Sequence, residues 1–166
     1  MNTDIRVVTI KPRKRAKRAP GRVRREKSTS ALTKELDALV SRSVRLQAMD
    51  KNEMVECYTC GQSKHYKKIQ CGHFVTRYFR VTRWDRRNLR PQCFNCNIRL
   101  KGASLMFRRK LVLEYGEEVI KQMEASVNPL IRGGLSREYL EKCIENERKA
   151  LESLESELST QKNFDL

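Results

Sequence analysis

The sequence has no long hydrophobic run. No apolar stretch approaches the roughly 18 residues that a membrane-spanning helix needs, and no apolar core follows the basic residues near the N-terminus, as it would in a secretory signal. We therefore expect a cytoplasmic protein that does not associate with membranes. In that reducing compartment, paired cysteines are expected to bind metal rather than to form disulfides.

Acidic residues are few relative to basic ones. The 166 residues include 36 Lys and Arg but only 20 Asp and Glu, which gives a net charge of +16. Residues 1–27 carry 11 basic and two acidic side chains, and residues 64–110 carry 14 basic side chains and one acidic one, Asp85. Such an imbalance favours a polyanionic partner, and nucleic acid is the first candidate.

The length suggests one domain with tails. Residues 1–28 are predicted to form a disordered basic arm, because they contain Pro12, Pro20 and Gly21 and little that a core could bury. The arm would add phosphate affinity that is independent of base sequence, and the alternative is a solubilising tail. We treat residues 29–128 as one zinc-braced domain with its leading and following helices, and residues 129–166 as a C-terminal helical element.

Apolar spacing predicts the first helix at residues 30–49, capped by Ser30 or Thr33. The other predicted elements are short strands at 54–60, 66–74 and 89–92, an Arg-rich loop at 75–88, a helix from Cys96 or Asn97 to about Tyr115, a helix at 117–127, turns at Asn128-Pro129 and Gly133-Gly134, and a helix at 137–159 capped by Ser136. The last helix has a coiled-coil-like leucine spacing that Glu147 interrupts. It either packs on its own domain or forms a short dimer contact.

Two Cys-x-x-Cys pairs form the strongest motif. Structural zinc takes four tetrahedral ligands, commonly two such pairs from separate loops. The pairs predict a structural zinc site with the ligands Cys57, Cys60, Cys93 and Cys96. Two cysteines remain: Cys143 is expected to pack on the apolar side of the last helix, and Cys71 is expected in the core, with an approach to a second metal as the alternative.

The segment between the pairs carries both histidines of the chain, His65 and His73, and the asparagine Asn88, and a second asparagine follows the last cysteine. Cleavage of a phosphodiester needs an activated water, a cation and a held phosphate. His73 has an imidazole suited to the base role, Asn88 is expected to fix the backbone near it, and Asn97 can offer an amide oxygen to a hard divalent cation. A lone histidine in a zinc module is often structural, but the basic loop and the two asparagines favour chemistry here. His65 lies among lysines and is predicted to be a surface residue.

These residues carry a family resemblance. His73, Asn88 and Asn97, framed by the cysteine pairs, resemble the HNH endonuclease motif. The segments 73–77, 82–85, 92–97 and 101–102, together with the helix at 108–118, resemble the NinG (Rap) recombination proteins of lambdoid phages. The resemblance covers roughly residues 30–127 and implies an α+β fold, with a small zinc-braced ββα-metal (HNH-like) module flanked by α-helices.

The resemblance also implies an activity: a DNA endonuclease that acts on Holliday junctions and D-loops with Mg²⁺ or Mn²⁺, in the host cytoplasm if the protein is phage-encoded. By position, His73 would be the general base, Asn88 its positioning residue and Asn97 a metal ligand. Two positions depart from the common HNH pattern. Gly72 stands where a metal ligand often precedes the base, and Lys101 stands where a last histidine can occur. Asp85 either caps the loop or helps to bind metal.

The Arg-rich loop is predicted to contact phosphates, since the guanidinium fork fits phosphate oxygens. The predicted DNA-binding residues are Arg77, Arg80, Arg83, Arg86, Arg87 and Lys101, and Arg90 is also suited to a phosphate contact. The aromatic residues Tyr78, Phe79 and Trp84 either stack on unpaired bases or pack the loop onto the module. Recognition of DNA shape is favoured over recognition of base sequence.

Three functions are compatible with the sequence. The first is a structure-selective endonuclease on branched DNA, which we expect to be a homodimer because paired cuts need two sites. The second is a zinc-containing DNA-binding accessory protein that does not cut. The third is a zinc-ribbon partner of RNA or the ribosome, which would not need His73 or Asn88.

The basic arm generates a direct prediction. Deletion of residues 1–27 should weaken DNA binding and reduce the slope of log K against log salt by about 0.9 for each phosphate that the arm neutralises in the full-length protein. Fluorescence anisotropy over a salt series measures this slope. An unchanged slope would leave the arm with the solubilising role alone.

Overall fold

The structure is a computed structural model that describes residues 26–127 and 134–164. The predicted arm therefore lies outside the described residues except for 26–28, and so do most of the predicted turns at 128–134. The elements are α1 (Thr29–Gln47), β1 (Met54–Glu56), β2 (Ser63–His65), β3 (Ile69–His73), β4 (Leu89–Cys93), α2 (Ser104–Tyr115), α3 (Glu117–Ala125) and α4 (Arg137–Phe164). The mixture of helices and small sheets confirms the α+β class. None of the described helices is long and apolar enough to cross a membrane.

Helix α1 is buried along one face, as its apolar spacing predicts. Leu32, Leu36 and Val40 face the core at steps of four residues. The helix begins one residue earlier than predicted, and its cap is Ser28, whose Oγ accepts a hydrogen bond from the Ala31 N–H at 3.2 Å. The predicted caps Ser30 and Thr33 are wrong, because both lie inside the helix.

Helix α4 packs on α1, and the two run parallel. Leu140 and Ile144 join the apolar cluster of α1, and Arg42 pairs with Glu155 at 2.7 Å. Ser136 caps α4 as predicted, since its Oγ accepts from the Tyr139 N–H at 3.2 Å. Packing on the same domain therefore occupies this apolar face, and Cys143 lies against that core as expected.

The four strands form two antiparallel hairpins. One joins β1 to β2, with Met54 opposite His65, and the other joins β3 to β4, with Ile69 opposite Cys93 and His73 opposite Leu89. Strand β2 was not predicted. The predicted strand 54–60 ends at Glu56, where the chain turns into the first cysteine pair, and the predicted strand 66–74 begins only at Ile69, because Tyr66–Lys68 forms a 3-10 turn.

The long helix predicted from Cys96 or Asn97 to Tyr115 is wrong at its start. Asn95–Arg99 forms a separate π-helical turn, and α2 begins at Ser104. Lys101 and Ala103 have φ values of +48° and Gly102 of +88°. Three consecutive residues with positive φ break the helix. Beyond the break, Phe107 and Leu111 of α2 and Ile120 of α3 form a separate, fully buried cluster.

Candidate functional site

The four predicted zinc ligands come together. The Sγ atoms of Cys57, Cys60, Cys93 and Cys96 all lie within 4.8 Å of one another, and those of Cys60 and Cys93 are 3.8 Å apart. A tetrahedral zinc with Zn–S bonds of about 2.3 Å requires sulfurs about 3.8 Å apart. The cluster therefore has the ligand type, number and spacing of a structural zinc site.

The surroundings of the sulfurs favour a thiolate at Cys57 and disfavour one at Cys96. The Cys93 N–H donates to the Cys57 Sγ at 3.2 Å, and the Cys96 N–H donates to the Cys93 Sγ at 3.5 Å. Burial raises the pKa of Cys57, but hydrogen bonds from the Thr59 hydroxyl and the Cys93 N–H outweigh it and lower that pKa to about 6. Burial raises the pKa of Cys96 to about 12. A bound cation would remove the cost of ionising all four thiols together.

His73 lies at the end of β3, and a hydrogen bond to a backbone carbonyl defines the tautomer of its ring. Its Nε2 is 3.2 Å from the carbonyl oxygen of Arg83. A carbonyl can only accept, so Nε2 carries the proton and Nδ1 is the acceptor in the neutral ring. Burial lowers the pKa of His73 below the ordinary histidine value, which favours this neutral ring at physiological pH.

Asn88 holds the loop that provides this carbonyl. Its side chain is fully buried. Its Nδ2 donates to the carbonyls of Val75 at 3.0 Å and Thr82 at 2.8 Å, and its Oδ1 accepts from the Val75 N–H at 2.7 Å. The amide thus fixes the backbone beside His73 and the backbone beside Arg83, and it does not reach the surface.

Asn97 and His73 line the same cleft, which has a volume of about 590 Å³. The Asn97 Nδ2 donates to the Oε1 of Gln70 at 2.8 Å, which leaves the Asn97 Oδ1 as an acceptor. Gln70 also lines the cleft. Gln70 was not predicted from the sequence. The only sequence feature that could have pointed to it is its position three residues before His73 in the same strand.

Position 72 holds a glycine because a side chain there would clash with Gln92. A Cβ atom at this position would lie 2.1 Å from the Oε1 of Gln92. Gln92 is fully buried and donates to the Thr59 Oγ1 at 3.2 Å and the Gly102 carbonyl at 2.8 Å. The space that a metal-binding side chain at position 72 would need is therefore filled by Gln92, which connects the first cysteine pair to the turn before α2.

The predicted DNA-binding residues divide into those paired with carboxylates and those that are exposed. Three of them pair with carboxylates of the same chain: Arg83 with Asp37 at 2.6 Å, Arg86 with Glu147 at 2.5 Å and Arg87 with Asp85 at 2.7 Å. Arg77 and Lys101 are exposed and line the cleft, and Arg80 is exposed outside it. The first group contributes contacts within the fold, and Arg77 and Lys101 contribute positive charge to the cleft.

The other residues discussed in the sequence analysis make contacts within the fold or lie at its surface. Asp85 caps the turn Arg86–Asn88 by accepting from the Arg87 N–H at 2.9 Å. The Trp84 Nε1 donates to Asp37 at 2.9 Å, and its ring packs on the core.

Tyr78 is 67% exposed and Phe79 is half-buried. His65 is half-exposed and lies 3.0 Å from Glu53. Cys71 packs against the core of α1 and α4.

Comparison with known proteins identifies the family. The family model described as Bacteriophage Lambda NinG protein matches residues 6–157. The chain belongs to the NinG family. No curated protein and no solved structure matches the chain. The match spans the cysteine cluster, both hairpins and the cleft, so all of these lie within the NinG-family region.

The cysteine cluster generates the first prediction from the structure. Cys96→Ser should lose zinc and unfold the module, because structural zinc contributes on the order of 10 kcal/mol to folding of small domains. Cys143→Ser, in α4, is the matched control and should keep its zinc. Metal content and the thiolate absorption of the cobalt-substituted protein measure the outcome. A folded Cys96→Ser protein without metal would contradict the four-cysteine site.

The close packing of Gly72 against Gln92 generates the second prediction from the structure. Gly72→Ala should destabilise the zinc-loaded protein by roughly 1–3 kcal/mol through overpacking. In a Gln92→Ala background the same change should cost much less, because the clashing atoms are absent there. Denaturant unfolding measures both values. Gly134→Ala is the control, since no described atom lies within 4 Å of a Cβ added there. Equal costs in both backgrounds would contradict this steric explanation.

Proposed function

We propose that this NinG-family protein is a metal-dependent, structure-selective DNA endonuclease of the HNH type that acts on branched recombination intermediates such as Holliday junctions and D-loops. The observation that carries the proposal is the state of His73. Its Nε2–H is held by the Arg83 carbonyl, and the pKa is lowered by burial. Its Nδ1 is therefore an acceptor beside a basic cleft.

The proposed mechanism assigns one role to each group. The Nδ1 of His73 takes a proton from the attacking water, and the Arg83 carbonyl stabilises the imidazolium that forms, because it stays bonded to Nε2–H. Asn88 keeps that carbonyl in place through its bond to Thr82. Arg77 and Lys101 hold the phosphate. A divalent cation, when bound, stabilises the negative charge that develops on the phosphate.

The residues available for this cation are oxygen donors. Asn97 and Gln70 present side-chain amides at the cleft, and amide oxygens suit Mg²⁺ or Mn²⁺. The order of a hairpin with His73 at its first strand, followed by a helical turn with Asn97, supports the HNH-like assignment. Lys101 places a positive charge at the position where HNH endonucleases can carry a last histidine.

A second candidate is a zinc-containing recombination accessory protein that binds DNA without cutting it. One observation favours it: among the residues that the structure describes, no Asp or Glu lines the cleft. Mg²⁺ sites usually include at least one carboxylate.

The nuclease proposal predicts cutting that depends on His73. Supercoiled plasmid and a four-way junction should be cut with Mg²⁺ or Mn²⁺. His73→Ala should lower the rate by roughly 100-fold or more, the usual contribution of a general base, and should keep DNA affinity. His65→Ala is the control and should cut normally. Because the base acts when neutral and its pKa is lowered, the rate should stay constant at neutral pH and fall only below the ordinary histidine pKa of about 6.5.

The other outcomes separate the alternatives. Binding without cutting in any metal would contradict the nuclease and favour the accessory protein. Strong preference for RNA would favour the ribosomal or RNA partner instead.

We also propose a homodimer on DNA, because opposed cuts at a junction need two active sites. Analytical ultracentrifugation should show two chains on one junction. A monomer both free and on DNA would contradict this arrangement.

A further inference from the structure

The charged side chains at the cleft are all basic. Arg45 comes from α1, Arg77 from the loop after β3, and Lys101 from the turn before α2. Arg45 was not among the residues that the sequence indicated. Within residues 26–127 and 134–164, the cleft lining contains no carboxylate that could neutralise these three charges.

The partners of Arg45 leave its charge intact. Its Nε donates to the Ser41 carbonyl at 3.0 Å, and its Nη1 is 3.4 Å from the Tyr66 carbonyl. Both acceptors are neutral, and they hold the guanidinium at the cleft wall. Asp37 of α1 interacts electrostatically with His73 and with Arg77. Its oxygens accept hydrogen bonds from Arg83 at 2.6 and 2.8 Å and from Trp84 at 2.9 Å, so its charge is shared with residues outside the cleft.

The donors available to a divalent cation are neutral. The Asn97 Oδ1 and the Gln70 Oε1 are amide oxygens, and three positive side chains share their cleft. Like charges repel a free cation, whereas Mg²⁺ in phosphoryl-transfer sites is held largely by substrate phosphates. The donor set therefore fits a cation that brings its anionic ligands with it, and it does not fit a cation site made by the protein alone.

We propose that the cleft binds a DNA phosphate first, through Arg45, Arg77 and Lys101, and that the catalytic divalent cation enters only together with that phosphate. The proposal rests on the proposed nuclease function and extends it to the order of binding. It also makes α1 part of the DNA site through Arg45, in addition to its packing role.

The first test measures DNA affinity by anisotropy with zinc-loaded protein in buffer that contains no Mg²⁺ or Mn²⁺. The wild-type protein should bind a labelled four-way junction. Arg45→Ala, Arg77→Ala and Lys101→Ala should each weaken binding several-fold and lower the salt slope by about 0.9. Lys149→Ala, on the exposed side of α4, is the control and should change neither. A requirement for Mn²⁺ in binding, or an Arg45→Ala protein that behaves like the control, would overturn the proposal.

The second test asks whether free protein binds the cation. The electron paramagnetic resonance signal of aqueous Mn²⁺ should stay unchanged when zinc-loaded wild-type protein is added at millimolar Mn²⁺. Lys101→Glu, which reverses one charge, should acquire Mn²⁺ binding and lose DNA affinity. Stoichiometric Mn²⁺ binding by the free wild-type protein, removed by Asn97→Ala, would overturn the proposal.

The two proposals fail in different ways. If no metal supports cutting but both binding tests succeed, the nuclease is wrong and the phosphate site remains. If junctions are cut while free protein binds Mn²⁺ tightly, the nuclease remains and the order of binding is wrong.

Discussion

The gathering of four cysteine sulfurs is the interaction on which the rest of the structure depends. Cys57 and Cys93 lie 36 positions apart in the chain, and the residues beside the second pair make the contacts that shape the cleft. Gln92 reaches Thr59 and Gly102, and Asn97 reaches Gln70. A metal bound at the cluster would therefore do more than replace a large core in a small module. It would also fix the side chains next to the four cysteines.

Buried polar contacts hold the loop between β3 and β4 in place. This loop is rich in arginine, and buried hydrogen bonds and ion pairs hold it in addition to the packing of Phe74 and Trp84 on the core clusters. Asn88 bonds to the backbone at two places in the loop, and Asp37 of α1 accepts from Arg83 and Trp84. Together they set the Arg83 carbonyl against His73. Part of the basic charge of the loop thus stabilises the fold, and Arg77 contributes its positive charge to the cleft.

The features that the sequence predicted are local in origin. Ligand spacing identified Cys57, Cys60, Cys93 and Cys96, and periodicity identified the buried face of α1. The features that it did not predict depend on contacts between distant segments or on rare backbone geometry. Gln70 gains its place from the fold that brings Asn97 beside it, and Arg86 meets Glu147 of α4 only after α1 and α4 pack. The helix break before α2 rests on Lys101 and Ala103 at positive φ, which residues of these types seldom adopt.

We propose that a metal at the four-cysteine cluster keeps His73 as a neutral imidazole with its proton on Nε2. The most direct measurement is ¹⁵N NMR of the His73 imidazole across pH, with zinc bound and after chelation. We expect the Nε2–H tautomer and a pKa below the ordinary histidine value in the zinc-loaded protein, and a mixture of tautomers with an ordinary pKa after zinc is removed. An ordinary pKa with zinc bound, or a titration that zinc removal leaves unchanged, would contradict the account.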